Sequence, residues 1–144
     1  MSNLLWETIE KGGAGSGLMY AACSTASNVQ IKTIEIEGVE ELFAGLAVNV
    51  KFINANSFGT FDGNHAVGTP PMLNINNLGA KAIKVGGENA GIGFVRAGDV
   101  HTLVYDGTAF NDVTADVVYR NATEMKFRNG SYMNWNGTNL NIVY

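Results

Sequence analysis

The phrase Tyr105-Asp106-Gly107-Thr108-Ala109-Phe110-Asn111 returns near the C-terminus as Trp135-Asn136-Gly137-Thr138-Asn139-Leu140-Asn141. Each copy sets an aromatic residue before an Asx-Gly pair, then Thr, then a further apolar residue. Asp-Gly and Asn-Gly accept the positive φ angles of a type I′ turn, whose twist suits two antiparallel strands. The repeat therefore predicts two tight hairpins of the same design.

The rest of the chain has the same character. Val29 to Glu37 alternates imperfectly, with Ile34 and Ile36 to one side and Lys32, Glu35 and Glu37 read as outward. Ala47 to Asn54 alternates more cleanly through Val48, Val50 and Phe52. Met72–Asn76 and Ala80–Val85 read as strands about the turn Asn77-Leu78-Gly79, and Val100–Tyr105 leads into the first repeated turn. Further strands are expected at Val117–Tyr119, Glu124–Arg128, Tyr132–Trp135 and Leu140–Tyr144. Turn signals roughly every 8–12 residues predict an all-β fold, an antiparallel sandwich or barrel-like domain followed by a β-meander.

Composition narrows the function classes. A chain of 144 residues with 46% hydrophobic and 15% charged residues is long enough to bury a core and argues against disorder. A net charge of −4, with scattered basic residues, disfavours nucleic acid. No apolar stretch reaches the ~18 residues of a membrane helix, so no membrane partner is expected. The N-terminus lacks a signal-peptide pattern. The single Cys23 leaves no intrachain disulfide and reads as a small buried apolar residue.

Three segments are expected. Residues 1–17 combine the apolar side chains Leu4, Leu5, Trp6 and Ile9 with the run Gly12 to Gly17, a docking stub on a flexible linker. That run lacks the Gly-Lys-Ser/Thr ending of a phosphate loop. Residues 18–113 form the β-domain, and 114–144 a C-terminal hairpin segment. In the last, Met125, Phe127, Tyr132, Met133, Trp135, Leu140, Ile142 and Tyr144 are more large apolar groups than one open sheet can cover. They must pack on the main domain or on other chains.

Residues 18–113 resemble a small β-domain recurrent in bacteriophage and prophage tail, baseplate and fibre proteins. The resemblance rests on Tyr20-Ala21-Ala22-Cys23-Ser24-Thr25-Ala26, on Ala47 through Asn56, on Leu73 through Ile83, and on His101 through Thr108. Where that family passes quickly between its second and third stretches, this chain inserts Ser57 to Pro71, with Phe58, Phe61, Asp62, Asn64 and His65. Such an insertion is a natural place for a ligand loop of Phe58, Phe61, Asp62 and His65. Met125 to Trp135 is similar to the short hairpins of fibre stems, where three chains commonly intertwine. The resemblance implies a homotrimeric virion protein, assembled in the host cytoplasm and docked on other virion proteins through its N-terminus. A short fibre, an appendage or a head or tail decoration component fits that description.

Catalytic and metal chemistry find little support in the residues. Asp62 and His65 are too few ligands for zinc, and the loop is short of oxygens for calcium, so no cofactor is expected. His101 reads as an exposed or satisfied strand histidine, and nothing pairs a base with Cys23, Ser24 or Thr25. The chain is not expected to be an enzyme. A carbohydrate-binding module is the alternative, for host receptor binding or adhesion. It would use Trp135, Tyr132, Tyr105, Phe58 or Phe61 as sugar platforms, with Asn129, Asn134, Asn136 and Asn139 around them. A cell-wall hydrolase is a third reading, and it would require a cleft with opposed carboxylates.

Overall fold

The computed structural model describes residues 19–57, 59–61, 66–120 and 123–144. The expected docking residues Leu4, Leu5, Trp6 and Ile9 lie outside these, as do Phe58, Asp62 and His65. All regular structure among the described residues is strand. In chain order the strands are β1 (Met19–Cys23), β2 (Ile31–Ile34), β3 (Ala47–Phe52), β4 (Thr60–Phe61), β5 (Ala66–Val67), β6 (Met72–Ile75) and β7 (Lys81–Val85). They continue with β8 (Glu88–Asn89), β9 (Val100–Tyr105), β10 (Phe110–Asp112), β11 (Val117–Arg120), β12 (Glu124–Phe127), β13 (Tyr132–Trp135) and β14 (Leu140–Val143).

The first sheet runs β1-β3-β9-β10-β7-β6-β2, with β8 beside β7. Its end strands β1 and β2 approach each other, so it curls into a nearly closed barrel. Period-two alternation explains the curl: Val48, Val50 and Phe52, Leu73 and Ile75, Ile83 and Val85, and Leu103 and Phe110 are all buried within it. The all-β, barrel-like architecture is the one the sequence predicts. Its pairings are mixed, however: β1–β3, β2–β6 and β7–β10 are parallel. Phe61 falls in β4, which pairs only with β5.

Two local readings change. Lys32 is 1% exposed, not outward. It shares the parity of Ile34 and Ile36, and its Nζ donates to Ala26 O at 2.9 Å and Ser27 O at 3.4 Å, which offsets the cost of burial. Burial lowers its pKa, opposed in part by Cys23. The repeated turns are not type I′ either. Only Gly107 and Gly137 take positive φ there, not Asp106 or Asn136. Each loop spans four residues between the pairs Tyr105–Phe110 and Trp135–Leu140. In each the Asx Oδ1 accepts two backbone N–H groups, Thr108 and Ala109 in the first, Thr138 and Asn139 in the second. A side-chain-capped loop replaces the predicted two-residue turn.

The second sheet is an antiparallel meander, β11-β12-β13-β14. Its first strand is fastened to the barrel. Val118 is buried, Gly91 N donates to Val118 O at 2.9 Å, and Arg120 N donates to Ile92 O at 2.9 Å. Arg128 adds a clamp through Ala115 O and Asp112 O.

Candidate functional site

The most distinctive surface is the far side of the meander. Alternation along β12, β13 and β14, fixed by Met125 opposite Met133, Met133 opposite Ile142 and Trp135 opposite Leu140, sorts the side chains between two faces. Met125, Phe127, Met133, Trp135, Leu140 and Ile142 share one face. Tyr132 stands on the other, opposite Lys126 and Val143. Six of the eight large apolar residues of this segment thus form one apolar stripe, Tyr132 faces away, and Tyr144 lies just beyond β14. Exposure rises across the sheet: Met125, Phe127 and Met133 are half-buried, while Trp135, Leu140 and Ile142 are 48%, 56% and 51% exposed.

The opposite face is polar and tied down. Lys126 Nζ meets Glu88 Oε2 at 2.6 Å, and the Tyr119 hydroxyl donates to Glu124 Oε1 at 2.9 Å. Burial and the Glu124 carboxylate push the Tyr119 phenol upward. Among the described residues such ties reach only the first two strands, and β14 is an exposed edge. Leu140-Asn141-Ile142-Val143 carries none of the lysine, proline or bulge by which edge strands usually resist pairing. Trp135 also stands beside Asn136, while Asn141 Nδ2 donates to Asn134 Oδ1 at 3.0 Å on the opposite face.

A second cluster lies inside the barrel. His101 Nδ1 approaches Asp112 Oδ2 at 2.7 Å, and its Nε2 faces Asp99 Oδ2 at 3.5 Å. The ring packs edge-on against Phe52 and tilted against Phe94. Asp112 Oδ1 accepts Thr114 N, Thr114 Oγ1 and Ala115 N. Burial lowers the His101 pKa, but the two carboxylates outweigh it and the net shift is upward. Burial raises the Asp112 pKa, and His101 and Thr114 turn the net shift downward. Both net shifts favour the charged forms of the pair. His101 is a strand residue, as the sequence reading has it, but buried, and its Nε2 has no hydrogen-bond partner among the described residues.

Thr114 Oγ1 lies 3.4 Å from His101 Nδ1, but its hydroxyl donates to Asp112. Cys23 is buried on β1, and Thr25 Oγ1 accepts Thr33 N; no described contact joins either to His101. The geometry is that of a buried structural ion pair. No group of three His, Cys, Asp or Glu among the described residues is arranged to hold a metal ion. Comparisons with protein-family models, curated proteins and solved structures returned no match.

Proposed function

We propose that this chain is a structural protein of a bacteriophage particle, a short fibre, appendage or decoration component that self-associates through its C-terminal meander. The observation that carries the reading is the apolar stripe from Met125 to Ile142, whose outer residues Trp135, Leu140 and Ile142 are exposed and which ends on an unprotected edge strand. Fully burying one such side chain is worth roughly 1.5–3 kcal/mol, so a few per protomer drive association. The barrel is anchored to the inner strands and leaves the outer ones free to meet other copies. The resemblance of residues 18–113 to tail, baseplate and fibre domains supplies the setting, and that of Met125 to Trp135 to fibre-stem hairpins supplies the expected number of three chains. Leu4, Leu5, Trp6 and Ile9 would dock the chain on other virion proteins.

Light scattering on a sizing column tests the reading. A mass near three times 15.3 kDa is expected for the parent chain, with a single-chain mass when Leu140 and Ile142 are both changed to Lys. A parent chain of single-chain mass would overturn self-association. Removal of residues 1–12 is expected to abolish attachment to the particle, and unchanged attachment would overturn the docking role.

A second reading, a carbohydrate-binding module, is favoured by the half-exposed indole of Trp135 beside Asn136. It predicts glycan-dependent quenching of Trp135 fluorescence in a chain that stays monomeric.

A further inference from the structure

We infer that the cleft between the loop after β3, the loop after β8 and the end of β11 binds an acidic sugar, its carboxylate or phosphate held between Arg96 and Arg120. The inference goes beyond the self-association reading and does not depend on it.

The cleft has a volume of about 460 Å³, within the range of about 300–1,000 Å³ usual for small-molecule sites. Arg96, Arg120, Asn56 and Ser57 stand around a largely aliphatic lining that includes Ile92 and Val95. The site is held in shape by backbone. Gly93 N donates to Asn56 O at 2.7 Å, Asn56 N to Val95 O at 3.4 Å, and Asn56 Nδ2 to Gly91 O at 2.8 Å. Asn56 is 1% exposed, and its buried Oδ1 has no donor among the described residues.

Arg120 is brought in by close contact. A Cβ at Gly93, whose φ is +70°, would lie 2.3 Å from Arg120 O and 2.8 Å from Arg120 Cγ. Only glycine lets the loop and the arginine stem meet so closely.

Electrostatics selects the ligand class. Burial lowers the Arg120 pKa, and the positive charge of Arg96 lowers it further, so two like charges share the cleft. Asp99 acts on Arg120 in the opposite sense. Its Oδ2, however, accepts Arg96 N at 2.9 Å and faces His101. Neither guanidinium has a carboxylate ion pair among the described residues. An oxyanion bridging the two would relieve their repulsion, and guanidinium forks suit carboxylate and phosphate alike. The aliphatic lining offers the C–H face of a pyranose an apolar surface. Among the described residues it offers no aromatic ring on which a nucleotide base would stack.

The test is an NMR titration of the ¹⁵N-labelled full chain with glucuronate, glucose 6-phosphate, glucose and inorganic phosphate. Saturable shifts at Ser57, Gly93 and Ala97 are expected with glucuronate, glucose 6-phosphate or both, and none with glucose. Which of the two binds distinguishes a carboxylate source from a phosphate source. Arg96→Gln, on an exposed loop, and Arg120→Gln are each expected to raise Kd about tenfold or more. Arg96→Gln keeps the test decisive should Arg120→Gln disturb packing on Gly93. Inorganic phosphate binding as tightly as glucose 6-phosphate, with glucuronate inert, would overturn the sugar. No saturable shift with either acidic sugar, or full binding by Arg96→Gln, would overturn the site. Because the shifts are local, they report on it whatever mass the protein has in solution.

Discussion

His101 Nδ1 and Asp112 Oδ2 face each other at 2.7 Å between neighbouring antiparallel strands, both side chains turned into the barrel. Asp112 lies opposite Leu103, so His101 sits one diagonal step away on the same face. Removing one partner strands the other charge in the core. Asp112→Asn is expected to destabilise the protein by about 3–5 kcal/mol, read as a lowered urea midpoint.

The same pair sets a pH window. The folded pKa of His101 lies above 6.5, so its contribution is complete below about pH 6.5 and fades as pH rises through the folded value. That of Asp112 lies below 3.8, so its contribution is complete above about pH 3.8 and fades as pH falls through the folded value. Urea midpoints are expected to be highest between these limits. His101→Asn is expected to flatten the alkaline side of the profile.

Gly93→Ala places a methyl against the backbone oxygen of Arg120 at a φ that disfavours side chains. The cost is expected at about 1–3 kcal/mol, with displaced amide resonances at Asn56 and Arg120.

Asn76 and Asn77 both have positive φ, yet they are expected to differ on mutation. The Asn76 side chain accepts Ile36 N and donates to Ile36 O and Val39 O. Asn76→Ala is expected to cost about 2–4 kcal/mol in chemical unfolding, through three hydrogen bonds and backbone strain. Asn77→Gly keeps the permissive backbone and is expected to leave stability within about 1 kcal/mol.

The two copies of the repeated loop differ in charge. Three donors, Ala109 N–H first, then the Asn111 amide and Thr108 N–H, pull Asp106 down to about 2. Its contribution is therefore present above its ordinary 3.8 and lost as pH falls towards 2. Asp106→Ala is expected to lower the thermal midpoint at pH 5 more than Asn136→Ala, and the Asp106→Ala deficit is expected to shrink at pH 2.

Strand positions were legible because alternation is a local property, and Val48, Val50 and Phe52 announce their face without help from the rest of the chain. Lys32 was misread because charge was weighed above parity, although it stands in phase with Ile34 and Ile36. The loop carbonyls that receive its ammonium group leave no mark in the pattern. The apolar residues of the meander were legible as a surplus. Their division between faces waited on the register that turns Tyr132 away. The cleft was not legible. Arg96 and Arg120 line one cleft only because Asn56 and Gly93 bring three distant segments together, and no spacing rule links them.

The barrel and the meander differ in how far apart along the chain their partners lie. Met19 pairs with Val48 and Ile31 with Met72, whereas every neighbour in the meander is the next strand. Loop-closure entropy makes the barrel's parallel pairings the slow step, while the C-terminal hairpins close locally and fast. The apolar stripe is thus expected to form before the barrel that anchors it has closed. Premature encounters between chains then become the main hazard of refolding, and yield is expected to fall steeply with protein concentration.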